Sequence, residues 1–108
     1  MKIGIIGSGI VGRVLGSAFL KEGNELMLGT RDTNKEEVVK WKGENNGAQT
    51  GSFSETAIFG EILVLAISGL AAKEVIDIAG TDNFKGKVVI DATNPIANSA
   101  PENGVLSF

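Results

Sequence analysis

Short apolar runs alternate with longer stretches of helical period along most of the chain. Lys2-Ile3-Gly4-Ile5-Ile6-Gly7 is nearly continuously apolar and rich in β-branched residues, the pattern of a strand buried on both faces. A helix is predicted from Ile10 to about Glu22, ended by Gly23-Asn24. Glu25 to Gly29 predicts a second strand. Thr33 and Glu36 have the spacing of a capping box, opening a helix through Val38, Val39 and Trp41 to Gly43. Residues 47–51 allow a short third strand, and Ser54 is the predicted cap of a short helix that stops at Gly60. Glu61 to Ile67 is the clearest buried strand. Ala71 to Ala79 reads as a helix closed by Gly80, and Lys87 to Asp91 as a fifth strand after a turn at Lys85-Gly86. From Ile96 to Phe108 neither period recurs.

Strands separated by helices pair in parallel through right-handed crossovers. The predicted fold class is therefore α/β: a Rossmann-like, doubly wound parallel sheet in a three-layer sandwich. Residues 1–95 are expected to form this domain. Residues 96–108 are expected to be an irregular tail.

Composition narrows the chemistry. The 108 residues include no His, Cys or Tyr. Imidazole acid–base chemistry, thiol or triad nucleophiles, Cys/His zinc sites and tyrosine-based dehydrogenase sites are thus excluded within these residues. The longest apolar run, Ile62 to Ile67, is far short of the roughly 20 residues of a membrane helix. No secretory signal pattern opens the chain. The expectation is a soluble cytoplasmic domain without a membrane segment. A net charge of −3 with no basic block argues against nucleic acid as a partner. If the chain takes part in chemistry, a bound group supplies the reactive atoms.

Gly7-Ser8-Gly9-Ile10-Val11-Gly12 is a GxGxxG between the first predicted strand and the first predicted helix, the context in which this pattern binds dinucleotides. Gly7 suits the tight turn, Gly9 the close approach of backbone to a pyrophosphate, and Gly12, with Gly16 one turn on, close packing of helix on sheet. Helix–strand packing alone, or an adenosyl cofactor of methyltransferase type, are the other readings of this loop.

About 20 residues past such a loop, NAD-selective domains carry a carboxylate for the ribose 2′-hydroxyl. Here the zone reads Gly29-Thr30-Arg31-Asp32, with no carboxylate at the strand end. The planar fork of Arg31 suits a 2′-phosphate. Thr30 adds a hydroxyl and Lys35 a second cation on the ribose side. NADP is the favoured cofactor. Two alternatives stay open: Arg31 and Lys35 as plain surface charges, and Asp32 as the ribose ligand of NAD.

These segments, together with Leu65-Ala66-Ile67-Ser68 and Val89-Ile90-Asp91-Ala92-Thr93-Asn94-Pro95, resemble the NADP-binding domain of NADP-dependent deazaflavin coenzyme reductases and their relatives. The likeness runs over nearly the whole chain. It implies that Ser8, Gly9, Ile10 and Val11 meet the pyrophosphate, and Thr30, Arg31 and Lys35 the 2′-phosphate. By the same resemblance Ala66, Ile67 and Ser68 flank the ribose and nicotinamide, and Asn94 and Pro95 close the nicotinamide pocket. Asp32 departs from the family pattern, which often has a second basic residue there. Family members also continue past the Asn-Pro segment into a smaller domain that shapes the second substrate site and a dimer interface, so a homodimer is implied for the full-length protein.

From the residues themselves, Ser68 serves equally as a helix cap and Asn94 as a turn residue beside Pro95. Asp91 is not assigned a catalytic role. Trp41 and Phe59 are expected to pack, and Glu36, Glu37 and Glu44 to form a solvated helix face. The functional expectation is an NADP(H)-binding oxidoreductase domain that passes a hydride between nicotinamide and a deazaflavin, flavin or other small redox acceptor. No catalytic side chain and no metal ligand is assigned, because transfer between two carriers needs position more than an acid or base. A non-catalytic NADP(H)-binding module, regulatory or electron-supplying, is the alternative.

Overall fold

The computed structural model describes residues 1–67 and 69–92. The elements run β1 (Lys2–Ile6), α1 (Ile10–Lys21), β2 (Glu25–Gly29), α2 (Glu36–Glu44), β3 (Gln49–Gly51), α3 (Phe53–Phe59), β4 (Ile62–Leu65), α4 (Gly69–Ala79), a 3-10 turn at Thr81–Phe84, and β5 (Val88–Asp91). All pairings are parallel, in the order β3-β2-β1-β4-β5. This is the expected Rossmann-like sheet. The chain leaves β1 toward β2 and β3 on one side, then returns to β4 and β5 on the other, so the order reverses beside β1.

Alternation within the strands divides the core in two. Ile3, Ile5, Leu26, Leu28, Val64 and Ala66 face one layer, where they meet Trp41 of α2 and Leu15 and Phe19 of α1. Ile6, Leu63 and Leu65 face the other, against Phe53 and Ala57 of α3 and Val75 and Ala79 of α4. Strands whose neighbours both carry helices have two buried faces, which is why their sequences read as continuous apolar runs. Trp41 is the packing residue expected of it. It is buried, its ring lies against Gly16, and its indole N–H donates to Arg13 O and Ser17 Oγ, each at 3.0 Å. Phe59 is half-buried, with Lys2 Nζ 5.7 Å from its ring centre. Glu36, Glu37 and Glu44 are exposed as expected.

One helix lies unusually close to the sheet. A Cβ on Gly4 would fall 2.6 Å from the carbonyl oxygen of Thr56, and one on Gly29 would fall 2.8 Å from Thr56 Oγ1. Two glycines on adjacent strands thus open a shallow seat into which α3 settles. Thr56 Oγ1 has no hydrogen-bond partner among the described residues, although the residue is fully buried. At the far end of α3, Lys87 Nζ donates to the carbonyls of Ala57 and Ile58, satisfying acceptors that the helix leaves open.

Three local expectations are corrected. The helix after β2 begins at Glu36 with Lys35 as its N-cap and no side-chain cap, so Thr33 makes no capping box. The loop is instead ordered by Asp32 Oδ1, which accepts the Asn34 N–H at 2.9 Å and turns the chain before a Thr33 cap can form. The cap of α3 is Ser52, not Ser54. Ser52 Oγ accepts the Glu55 N–H at 3.1 Å while Glu55 Oε1 accepts the Ser52 N–H at 2.8 Å, and Ser54 lacks such an acid three residues on. β4 is shorter than the apolar run that signals it, ending at Leu65, although the Ala66 N–H still donates to Ile6 O at 2.9 Å. The 3-10 turn at Thr81–Phe84 has no periodic signal and was not anticipated.

Two substitutions under α3 are expected to act in opposite directions. Gly4→Ala drives a Cβ into a backbone carbonyl and should lower stability by about 2 kcal/mol in urea unfolding. Thr56→Val removes the unpartnered buried hydroxyl and should raise stability by about 1 kcal/mol by the same measurement.

Candidate functional site

The carboxyl ends of β1, β2 and β4 open onto a cleft of about 270 Å³ at the point where strand order reverses. Ligands of open parallel sheets lie at such switch points, because the loops diverge there and leave a crevice. Its floor is the glycine loop. Gly7 takes φ +128°, a conformation that L side chains rarely adopt, and a Cβ on it would fall 2.2 Å from Ala66 O. Its N–H donates to Gly29 O at 3.1 Å. A Cβ on Gly12 would in turn fall 2.1 Å from Gly7 O, so α1 starts tightly against the loop. Gly7 and Gly12 are therefore required by the fold itself.

Gly9 is different. It is the N-cap of α1 with φ −74°, a conformation open to any residue, and nothing lies within 4 Å of where its Cβ would sit. Neither packing nor backbone explains a glycine here. The early N–H groups of α1, from Ile10, Val11 and Gly12, begin a helix with no acidic residue in its first turn. That end of the helix presents partial positive charge and unpaired donors beside an open space.

The wall beyond is the end of β2. Ser8 Oγ donates to Thr30 Oγ1 at 2.9 Å, tying the glycine loop to that strand end. Thr30 is itself buried, its hydroxyl also accepting the Asp32 N–H at 3.3 Å. Thr30 thus lies beneath the cleft and organises its wall, whereas Arg31 and Lys35 line it directly. Arg31 is exposed, its guanidinium 5.8 Å from the Phe53 ring centre and its Nη2 3.4 Å from Glu74 Oε1 of α4. Asp32 is exposed and absent from the cleft lining, its Oδ1 engaged with the Asn34 backbone.

The structure thus gathers Gly7, Ser8, Gly9, Arg31, Lys35, Ala66 and Ile67 around one cleft. Ser68, Asn94 and Pro95 lie outside the described residues, as does the tail 96–108. Sequence reasoning missed Phe53, Ala71 and Val75, which complete the opposite wall. Phe53 follows directly on the Ser52 cap, and that Ser-x-x-Glu signal was its one local trace. Another cavity, of about 340 Å³, is lined by Ile10, Arg13, Val14, Ser17 and Trp41. It lies between α1 and α2, with no strand-end loop residue among its lining. Among the described residues no group of three or more His, Cys, Asp or Glu is placed to hold a metal ion, and no helix is long and apolar enough to cross a membrane.

Comparison with known proteins bears on this cleft. Residues 2–95 match the family model for NADP oxidoreductases that depend on coenzyme F420. The fold matches the crystal structure of a candidate F420-dependent NADP reductase from Arthrobacter sp. FB24, with TM-score 0.81 and 30% identity over 87% of this chain and 45% of that one. It also matches an imine reductase from Myxococcus stipitatus, a V8 variant in complex with NAD+, with TM-score 0.69 and 21% identity over 85% of this chain and 31% of the other. The second likeness speaks to the fold alone. The chain thus spans less than half the length of either protein. No curated protein matches it. A family match from the first strand through the segment after β5, on a sheet of this order with its glycine loop at the switch point, places the chain in the coenzyme F420-dependent NADP oxidoreductase family, as its N-terminal NADP-binding region.

Proposed function

We propose that this cleft binds NADP(H) in preference to NAD(H) and presents it for hydride exchange with a small redox acceptor of deazaflavin or flavin type. The observation that carries the reading is Gly9: a glycine the protein's own structure does not need, at a helix N-terminus, facing the same cleft as Arg31 and Lys35. A side chain there would fill the space that a pyrophosphate requires, and the residues present fit the cofactor.

In this reading Ser8, Gly9, Ile10 and Val11 offer backbone N–H donors to the pyrophosphate. Arg31 and Lys35 hold the 2′-phosphate, Arg31 through a fork that can donate two parallel hydrogen bonds. Thr30 acts from below, fixing the strand end from which Arg31 projects. Ala66 and Ile67 supply an apolar wall on the far side of the glycine loop. The bound nicotinamide supplies the hydride, or takes it up. The chain contributes orientation and exclusion of water, which in a transfer between two ring carriers is where most of the rate gain lies. With no His or Tyr in the chain, no residue of it is assigned to move a proton. Domain boundaries at residues 1–95, with acceptor contacts made by a further domain, belong to the same proposal and rest on the greater length of the similar proteins.

Two variants test it by calorimetric titration. Arg31→Ala should weaken NADP+ binding by about tenfold to a hundredfold while changing NAD+ little, the worth of one charge-assisted contact. Equal loss for both nucleotides, or none, would sink the 2′-phosphate pocket. Gly9→Asp should hold or raise the melting temperature, because Asp is a good N-cap and its charge suits the helix dipole. The same variant should lose at least about a hundredfold in affinity for both nucleotides, since the carboxylate sits where phosphate must go. Retained binding would leave the glycine loop a structural device only.

A further inference from the structure

Arg31 is already engaged. It lies just past β2, on one lip of the cleft, and Glu74 lies on α4, the helix whose Ala71 and Val75 form part of the opposite wall. Their side chains meet at 3.4 Å across 43 residues of sequence, through one Nη2 and one carboxylate oxygen. Both are substantially exposed, at 48% and 67%. A single, long, solvated contact of this kind is weak and opens readily. It nonetheless sets a negative charge against the one guanidinium that faces the cleft, on the side where Lys35 supplies the other cation.

The geometry points to Glu74 as a residue that sets the cofactor preference of this site, by competing with the 2′-phosphate of NADP(H) for Arg31. The inference rests on the cofactor assignment above. A 2′-phosphate entering the cleft must take the guanidinium from Glu74 and then remain near the displaced carboxylate. An unphosphorylated ribose meets no such contest, because its 2′-hydroxyl needs no cation and can donate to a carboxylate instead. Glu74 thus narrows the advantage that Arg31 and Lys35 confer on the phosphorylated cofactor. Phe53, whose ring centre lies 5.8 Å from the guanidinium, gives Arg31 a platform at the rim of the cleft.

The test uses the full chain and two probes that differ only in the 2′-phosphate: adenosine 2′,5′-bisphosphate and 5′-AMP. Affinities are measured by titration for the wild type, Glu74→Gln, Arg31→Ala and the double variant. Glu74→Gln is expected to tighten the bisphosphate about three- to tenfold, with 5′-AMP changed less than about twofold. In the Arg31→Ala background the gain should fall below about twofold, because only the screened repulsion between carboxylate and phosphate is then left. A change in packing or stability alone would not move the ratio of the two probes. Unchanged or weaker bisphosphate binding in Glu74→Gln overturns the inference, weaker binding meaning that Glu74 props Arg31 in place. If Arg31→Ala still lowers the bisphosphate preference while Glu74→Gln is flat, only the role of Glu74 falls. If the wild type shows no preference for the bisphosphate, or binds neither probe, the 2′-phosphate pocket falls with it.

Discussion

The structure hinges on Gly7. Its amide donates to the end of β2 at Gly29, and the carbonyl of Ala66 at the end of β4 stands where its side chain would be. Three strand ends therefore meet at one residue that has no Cβ and carries a positive φ. Any other residue would push β4 away from β1 and leave the N-terminus of α1 without its seat against Gly7 O. The cleft exists because this junction is so tight. Strand ends that converge leave their outgoing loops to diverge, and the space between those loops is what a ligand can enter.

A second set of missing side chains governs the layer below. Gly4 and Gly29 lower α3 onto the sheet, which brings Phe53 at the start of that helix to the rim of the cleft beside Arg31. The Ser52–Glu55 capping box fixes where the helix begins and so where Phe53 stands. Packing, capping and site geometry are linked here. A helix standing farther from the sheet would carry its first aromatic residue out of reach of the guanidinium, and the cation would lose its platform.

Much of this could be read from the sequence because it depends on short-range rules. The glycine loop announces itself by spacing and by the strand and helix on either side of it. Gly29-Thr30-Arg31 at the end of an apolar run gives both the end of the strand and its charge. Boundaries were harder. Thr33 and Glu36 have the spacing of a capping box, but Asp32 takes the Asn34 amide first and the turn is spent before Thr33 can cap. Ser52 was overlooked because β3 is only three residues long, leaving little pattern to mark where it stops. Thr30 reads as a hydroxyl donor to a 2′-phosphate, whereas in the fold it is buried and ties the loop to the strand. Beyond the Ser-x-x-Glu spacing that starts the helix of Phe53, neither Phe53 nor Glu74 carries a local signal for the cleft. Their places follow from helix packing across tens of residues, and no local period encodes that.

The hydrogen bond from Ser8 to Thr30 has a metric meaning. It joins the loop at the helix N-terminus to the strand end that carries the cation, so the two cannot drift independently. The separation between them is a property of the protein, fixed before any ligand arrives. In the proposed reading the cleft works as a gauge, matched to the distance between two anionic groups rather than merely to their charge. A nucleotide with its second phosphate on a neighbouring ribose carbon would bring the same charge and the wrong length.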